Sequence, residues 1–247
     1  MSDGRRIAVV GDARHYVGPA LARLLAERQH DLVLGDPTPE LVSELEELGA
    51  TVEAVAGVSN LAKEASAPTL VAAALDRFGR IDSAVAFAGQ IVTGRFTKSS
   101  IEDLRTVLVG CVEAPYNFLR AVVDPMIEAG DGQILVITSA SAARPTPGAP
   151  LYSSARAAAT MLTKNVASEV ARNGVQVNAV GTNFMDFPEF IAASGASDPN
   201  VRAAVEAQVP LGRLGTMEEF ASFCMPFVDG TSRFTTGQFI SYAGGWA

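Results

Sequence analysis

A serine, a tyrosine and an arginine are spaced so that together they could move a proton at a substrate oxygen. Tyr152 and Arg156 are four residues apart in a segment with a helical pattern, and residues at that spacing are neighbours on one helical face. The guanidinium of Arg156 is a permanent cation, so it stabilises the phenolate form of Tyr152 and makes the phenol a usable base. Ser139 ends an apolar strand, and its hydroxyl can hold the same oxygen. These residue types therefore predict general acid–base catalysis.

Two plainer interpretations of these residues stay open. Tyr152 and Arg156 could form an ordinary pair on the surface of a helix, and Ser141 could take the place of Ser139. The position of Ser139 at the end of a strand, thirteen residues before Tyr152, favours the catalytic interpretation.

Strands that alternate with helices must position these side chains. Short, apolar, β-branched runs predict six strands, and the segments between them have helical periodicity. Strands of this kind are buried on both faces, which indicates a parallel sheet covered by helices. The sequence therefore predicts one α/β domain, residues 1–247, with a doubly wound parallel sheet of the Rossmann type. The predicted strands are 7–10, 32–34, 84–87, 134–137, 175–180 and 239–241, and the predicted helices are 19–29, 40–48, 69–78, a pair within 100–129, and 152–173.

The expected ligand site lies at one edge of this sheet. Ligands of doubly wound sheets bind beyond the carboxyl ends of the strands, where the strand order reverses. Gly11, Gly89, Ser139 and Gly181 all fall at predicted strand ends. The loop 90–98 and the segment 184–200, which should form the rim of the pocket, are expected to be irregular.

Composition excludes several classes of partner. The chain has 247 residues, 48% of them apolar, a net charge of −8 and a pI near 4.8. This acidity argues against a nucleic-acid surface, and no polybasic segment indicates membrane attachment. We expect no signal peptide and no membrane span, and hence a cytoplasmic protein that binds a small molecule. Cys111 and Cys224 lack metal-ligand spacing and are predicted to be buried thiols, and His15 and His30 are too scattered for a metal site.

The whole chain resembles the short-chain dehydrogenase/reductase superfamily. The resemblance rests on a glycine-rich turn after the first strand, Asp36 after the second, the pair Ser139 and Tyr152, and a C-terminal Pro-Leu-Gly-Arg-Leu-Gly motif at 210–215. Nicotinamide-using members have a Gly-x-x-x-Gly-x-Gly turn, whose glycines let the backbone approach the pyrophosphate at a helix N-terminus.

Several residues depart from the pattern of those nicotinamide-using members. The turn from Gly11 to Gly18 has one extra residue and places Tyr16 where the middle glycine belongs, and Arg156 replaces a Lys that also binds the nicotinamide ribose. With the turn filled by an aromatic ring, Asp36 is expected to stabilise a turn or cap a helix, and no cofactor is expected. The other departures are Ala86-Phe87-Ala88-Gly89 in place of Asn-Asn-Ala-Gly, Cys111 in place of a helical Asn, and Thr182-Asn183 in place of Pro-Gly.

One subgroup of the superfamily, the halohydrin or haloalcohol dehalogenases, is similar to this chain in its motifs. These enzymes have Thr-x4-Phe/Tyr-x-Gly near the N-terminus and Ser-x12-Tyr-x3-Arg at the catalytic site. Ser139, Tyr152 and Arg156 match the second of these motifs, because twelve residues separate the serine from the tyrosine and three separate the tyrosine from the arginine. Tyr16 and Gly18 match the end of the first motif, whereas Gly11 stands where these enzymes usually have Thr.

This resemblance implies cofactor-independent conversion of vicinal haloalcohols to epoxides with release of halide and a proton, and the reverse opening of epoxides by halide, azide, cyanide or nitrite. Tyr152 would take the hydroxyl proton, Arg156 would support the phenolate and Ser139 would orient the oxygen. The resemblance also implies a homotetramer built through the long helices. The implied halide-binding residues are Tyr16, Gly181, Thr182, Asn183, Phe184 and Met185, and the substrate pocket would include Phe87 and Leu151, which could equally be core residues.

Two other functions stay open. An oxidoreductase could retain NAD(H) or NADP(H) through Asp36 and an atypical turn, with Arg156 in the role of Lys. A non-catalytic scaffold could have lost its cofactor and serve as a sensor or subunit partner. Nucleotide binding would favour the first of these, and tolerance of substitution at Tyr152 would favour the second. Trp246, near the C-terminus, could form an exposed tail or enter the pocket of a neighbouring subunit.

Overall fold

Seven parallel strands form one sheet at the centre of the molecule. The computed structural model describes residues 4–87 and 89–247. Ala88 and residues 1–3 lie outside the described residues, and the expectation of no signal peptide falls partly on residues 1–3. The strands are β1 (Arg6–Val10), β2 (His30–Gly35), β3 (Val52–Val55), β4 (Ser83–Phe87), β5 (Gly132–Ser139), β6 (Val175–Thr182) and β7 (Phe239–Tyr242). Their order, β3-β2-β1-β4-β5-β6-β7, reverses after β1 and confirms the predicted doubly wound fold.

The pair formed by β5 and β6 positions the candidate site. All eight residues of each strand are buried, because helices cover both faces of the sheet. The strands are paired from Gly132 opposite Val175 to Ser139 opposite Thr182. Ser139 and Thr182 therefore lie side by side at the carboxyl edge, where the sequence predicts the ligand site.

β3 is an addition to the six strands that the sequence predicts. It pairs with β2 at the edge of the sheet, and none of its four residues is buried. A strand with one partner and partial exposure to water has a weaker apolar pattern, and Glu53 interrupts it here. The strand matters for the site because the chain that follows it, residues 59–62, lines the main cavity.

Nine α-helices occur in the part of the chain that the structure describes, and they cover both faces of the sheet. A wider π-helical turn, Val109–Glu113, joins α4 to α5, and Ser100 and Asp103 form a capping box at the start of α4. The helices are α1 (Gly18–Glu27), α2 (Pro39–Glu47), α3 (Ser66–Phe78), α4 (Ile101–Leu108), α5 (Ala114–Ala129), α6 (Pro150–Val170), α7 (Pro188–Ser194), α8 (Pro199–Glu206) and α9 (Met217–Cys224).

The segment 184–200 contains regular structure, so the expectation of an irregular rim is wrong there. Pro188 and Pro199 occupy first positions of α7 and α8, where the fixed φ of proline favours a helix. Gly195 ends α7 in a left-handed conformation, with φ 73°, and the side chain of Asp198 caps α8. Helices of seven and eight residues are too short to show a clear apolar period.

One helical segment, Ile101–Ala129, is long and apolar enough by composition to cross a membrane, with a mean hydropathy of 1.2. The expectation that no run approaches this length and composition is therefore wrong. In the structure, Phe118, Val122 and Met126 of α5 are fully buried in the core beside the sheet. These core contacts account for part of the apolar composition of the segment. Cys111, in the turn between α4 and α5, is a buried free thiol as predicted.

Candidate active site

The hydroxyl of Ser139 is held in place at the end of β5. Its Oγ accepts a hydrogen bond from the N–H of Ser141 at 3.2 Å. Its proton can go to the Oγ of Ser141 at 3.0 Å or to the carbonyl oxygen of Thr182 at 3.3 Å. Ser141, the alternative considered from the sequence, is thus a hydrogen-bond partner of Ser139, and the hydroxyl of Ser139 is oriented before any ligand arrives.

Tyr152 and Arg156 lie one turn apart in the first half of α6. The Cζ of Arg156 is 5.0 Å from the centroid of the Tyr152 ring, a cation–π distance. Arg156 is only 7% exposed, and its Nε has no hydrogen-bond partner among the described residues. This arrangement places a buried positive charge beside the ring of Tyr152. The burial of Arg156 is incompatible with an ordinary surface pair.

Gly89 makes room for this guanidinium after the end of β4. A Cβ placed on Gly89 would clash with the Nη2 and Cζ atoms of Arg156. Any other residue at this position would therefore force the guanidinium of Arg156 to move.

A cavity of about 740 Å³ connects these side chains at the carboxyl edge of the sheet. Its wall is mostly apolar, and it also carries polar side chains, those of the acid–base residues among them. Of the residues proposed from the sequence, those in the wall are Tyr16, Phe87, Ser139, Tyr152, Arg156, Thr182, Asn183, Phe184 and Met185.

Gly181 and Leu151 do not belong to the described wall of this cavity, which corrects two sequence predictions. Leu151 is 9% exposed and packs in a small core cluster with Cys111. It precedes Tyr152 on a helix, and one residue is about a 100° rotation, so the two side chains face different directions. A Cβ on Gly181 would lie 2.6 Å from the carbonyl carbon of Ser139. Gly181 therefore allows close packing at the end of β5.

Tyr16 closes the cavity at the turn between β1 and α1. Its hydroxyl lies 2.6 Å from the Oγ1 of Thr182. Its ring meets the rings of Phe87 and Phe187 edge-on at centroid distances of 5.7 and 4.7 Å. Burial raises the pKa of the Tyr16 hydroxyl, so this group stays protonated. The backbone has φ 52°, an uncommon conformation for a bulky residue, and these contacts hold it there.

Some residues in the wall were missed by the sequence patterns. Phe187, Glu189 and Phe190 line the cavity around the start of α7, and residues 59–62 line it after β3. Both segments adjoin elements that the sequence did not predict. Phe187 and Phe190, on either side of Pro188, could have indicated this part of the wall. Large aromatic side chains are usually at least partly buried, so two of them in a short polar segment indicate a contact with the rest of the fold.

Known proteins with similar sequences identify the superfamily. A family model described as enoyl-(acyl carrier protein) reductase matches residues 13–247. The protein named oxidoreductase UcpA from Salmonella typhimurium is 30% identical over 238 residues, which cover 94% of this chain and 90% of the relative. The chain belongs to the short-chain dehydrogenase/reductase superfamily.

Other members of the superfamily are similar over nearly the whole chain. The 2,5-dichloro-2,5-cyclohexadiene-1,4-diol dehydrogenase LinX from Sphingobium indicum is 27% identical over 246 residues, covering 98% of this chain and 96% of LinX. The structure of acetoin dehydrogenase from Enterobacter cloacae has a TM-score of 0.84 and 27% identity, covering 98% and 96% of the two chains. The NADPH-dependent reductase YwfH has a TM-score of 0.88 at 20% identity and covers 99% of each chain, which shows a shared fold.

These relatives contradict the cofactor-independent haloalcohol chemistry that the motif implies. They are named as dehydrogenases, reductases and oxidoreductases, so the expectation of a dehalogenase is wrong. The reason lies in what Ser139 and Tyr152 do. A serine and a tyrosine in this arrangement can serve proton transfer at an oxygen, and alcohol oxidation, ketone reduction and haloalcohol cyclisation all include that step. The spacing therefore indicates the acid–base step without indicating which other bond breaks.

Asp36, the residue that could hold an adenosine ribose in a superfamily member, is engaged by the protein's own backbone. Its carboxylate accepts hydrogen bonds from the N–H groups of Gly57, Val58 and Ser59 at 2.6, 3.0 and 2.8 Å. Burial opposes ionisation of this carboxyl, but the hydrogen bonds outweigh burial and lower its pKa. Asp36 thus stabilises the turn after β3, as the sequence favours.

Side chains of this protein occupy part of the space that a dinucleotide would need in a nicotinamide-using member of the superfamily. Tyr16 fills the turn end of the cavity, and Arg156 occupies the space next to Gly89. A Cβ on Gly18 would clash with the carbonyl oxygen of Asp12, so this glycine tightens the turn and opens no space for a pyrophosphate. Nucleotide could enter this part of the cavity only after the ring of Tyr16 moved.

Proposed function

We propose that the protein is an oxidoreductase of the short-chain dehydrogenase/reductase superfamily that interconverts a hydroxyl and a keto group on a small, mostly apolar substrate. The observation that carries the proposal is that Ser139, Tyr152 and the buried Arg156 share one cavity of about 740 Å³. The names of the relatives supply the class of reaction. Phe87 and Phe184 in the wall support an apolar substrate.

Tyr152 exchanges a proton with the substrate oxygen in the proposed reaction. In alcohol oxidation the phenolate takes the hydroxyl proton, and in ketone reduction the phenol gives a proton to the oxygen. Ser139 donates a hydrogen bond to the same oxygen. In the free protein, the Oγ of Ser139 lies 3.0 Å from the Oγ of Ser141 and 3.3 Å from the carbonyl oxygen of Thr182. A substrate oxygen can replace either acceptor without a rearrangement of the backbone.

In this proposal, Arg156 places its positive charge beside the ring of Tyr152. Its guanidinium is buried beside the ring, and charge attraction is stronger in such surroundings than in water. The planar guanidinium can also stack on an aromatic face, which an ammonium group cannot do in the same way. Arg156 therefore stabilises the base that Tyr152 provides.

A nicotinamide nucleotide, when bound, would supply or accept the hydride. Because Tyr16 fills the turn end of the cavity, binding depends on displacement of its ring from Thr182. Nucleotide binding is therefore the direct test of the proposal.

The experiment titrates NADH and NADPH in turn into the purified full-length protein by calorimetry, and then assays secondary alcohols and ketones. We expect binding by the wild type and by Tyr152→Phe, and redox turnover by the wild type alone. Tyr16→Gly is included because it opens the turn. Absence of binding by both the wild type and Tyr16→Gly would contradict the oxidoreductase proposal. Redox turnover retained by Tyr152→Phe would contradict the assignment of the base.

We also propose that the protein forms a homotetramer through its long helices. Ile101 of α4, Tyr116 of α5 and Met161 of α6 are 62%, 50% and 56% exposed, and apolar side chains exposed on neighbouring helices favour contact with another copy. Light scattering of the purified protein tests this proposal, with Tyr116→Asp as the variant. We expect a tetramer that Tyr116→Asp weakens, and a monomeric wild type would contradict the proposal.

A further inference from the structure

The C-terminal tail returns to the wall of the cavity, where Arg144 holds Trp246. The Nη1 of Arg144 donates a hydrogen bond to the carbonyl oxygen of Trp246 at 2.7 Å, and its Cζ lies 4.7 Å from the centroid of the indole ring. The same indole meets the ring of Phe184 edge-on at 5.6 Å. Trp246 therefore links an arginine at the surface to a residue that lines the cavity.

Phe184 lies in a thin and strained part of the wall. Its backbone has φ 56°, which is unusual for an aromatic residue. Asn183, Phe184 and Met185 line both the main cavity and a second cavity of about 120 Å³. The loop thus separates two spaces, with Met185 packed in the core and a small cavity beside it. The edge contact with Trp246 adds to the support of Phe184.

The tail that carries Trp246 is itself anchored to the rest of the fold. The N–H of Leu211 donates a hydrogen bond to the carbonyl oxygen of Gly244 at 3.1 Å. A Cβ on Gly245 would lie 3.1 Å from Pro210, so the backbone passes close to that residue. With these contacts, the indole is presented to Phe184 from a fixed base.

A row of aromatic contacts extends from Trp246 into the cavity. Phe184 meets Phe190 at 6.1 Å, Phe190 meets Phe187 at 6.1 Å, and Phe187 meets Tyr16 at 4.7 Å between ring centroids. Because closely packed side chains constrain one another, displacement of the indole would change the surface that a ligand meets.

We propose that Trp246, held by Arg144, is a positioning residue that orders the cavity wall at Phe184. The inference goes beyond the proposed oxidoreductase function, since it concerns the free protein and requires neither nucleotide nor substrate. Its test can therefore fail while the oxidoreductase proposal stands, and the reverse also holds.

The test measures amide hydrogen exchange in residues 183–194 of the full-length protein. We expect Trp246→Ala to speed exchange there about tenfold, because the aromatic and cation–π contacts are lost together. Trp246→Phe should largely restore protection by keeping an aromatic edge against Phe184. Phe234→Ala is the matched control, since Phe234 is a fully exposed aromatic residue, at 104%, in the same part of the chain.

Exchange in β5 and β6 separates a local effect from general destabilisation. We expect Trp246→Ala to leave those strands unchanged. Protection of 183–194 equal to that of the wild type would overturn the proposal, and so would a loss of protection that is the same in β5 and β6.

Trp246 is the only tryptophan of the chain, so its fluorescence reports on the contact directly. Arg144→Ala should increase quenching by acrylamide about twofold, as expected for loss of a contact of this kind near the surface. Arg144→Lys keeps the charge and should be intermediate. Quenching in Arg144→Ala identical to that of the wild type would overturn the role assigned to Arg144.

Discussion

The two ends of the cavity differ in how their polar groups are used, although one edge of the sheet forms both. At the acid–base end, Ser139 is oriented, Arg156 is buried, and Tyr152 lines the cavity beside them. At the turn end, Tyr16 bonds to Thr182, and Asp36, which lies outside the described wall of the cavity, bonds to the backbone of Gly57. At the first end, Ser139 and Arg156 line the cavity where a ligand can reach them, although Ser139 also bonds to Ser141. At the second, Tyr16 and Asp36 bond to groups of the protein itself.

This difference shows how a superfamily site can change in one half and persist in the other. Buried polar groups normally find partners inside a protein, and the Nε of Arg156, with none among the described residues, is an exception. The hydroxyl of Tyr16 and the carboxylate of Asp36 follow the rule. The proton-transfer chemistry expected of a dehydrogenase is therefore better supported by the structure than its nucleotide binding is.

Tyr152→Phe removes the base from the acid–base end and leaves the turn end intact. We expect turnover of the best alcohol or ketone substrate to fall about 10²–10⁴-fold, the usual contribution of a positioned acid–base group. Thermal unfolding should be nearly unchanged, since the ring is kept. Steady-state kinetics and calorimetry test this prediction, and turnover within twofold of the wild type would contradict it.

Tyr16→Gly acts on the opposite end. We expect the dissociation constant for NADH or NADPH to fall at least about tenfold as the ring leaves the nucleotide space, by the same logic that makes preorganised binding sites tighter. The free energy of unfolding should fall by about 3 kcal/mol for the lost aromatic packing, reduced by the ease with which glycine adopts φ 52°. Calorimetric titration and urea unfolding provide the measurements.

Phe234→Ala is the control for Tyr16→Gly, because Phe234 is a fully exposed aromatic residue outside the described wall of the main cavity. It should leave nucleotide affinity unchanged. Equal affinities in Tyr16→Gly and the wild type would show that Tyr16 is not what limits nucleotide binding.

Arg156→Lys sharpens the comparison at the acid–base end. Lysine keeps the positive charge but loses the planar stack on Tyr152, so we expect about a fivefold loss of turnover, with KM little changed. Separate determination of kcat and KM tests this expectation. Arg172→Lys, at the exposed end of the same helical segment, is the matched control. A loss confined to KM would instead indicate that Arg156 binds substrate.

The smallest expected effect is a pH-dependent loss of stability in Asp36→Asn. The folded state lowers the pKa of Asp36, so its carboxylate stabilises the fold fully above about pH 4, the ordinary range of such groups. That contribution is lost as the pH falls through the lower folded pKa. Urea unfolding should therefore show Asp36→Asn less stable than the wild type at pH 7, with a smaller difference at acid pH. Asp76→Asn, on the exposed face of α3, is the matched control variant.

Local pattern was enough to predict the centre of the sheet and the acid–base residues. β5 and β6 are buried over their full length, so their apolar runs are unbroken. The spacing of Tyr152 and Arg156 within one helix brings them together by helix geometry alone. The edge strand β3 and the short helix α7 were missed because a half-exposed strand and a seven-residue helix have weak periodicity.

By itself, the amino-acid sequence determined the doubly wound fold and the positions of Ser139, Tyr152 and Arg156 at its carboxyl edge. Those features depend on neighbouring residues and on strand ends that parallel pairing brings to one edge. Only the tertiary structure showed that the carboxylate of Asp36 bonds to the turn after β3 and that Trp246 returns to support the cavity wall. These contacts join residues far apart in the chain, and their formation depends on how the whole chain packs.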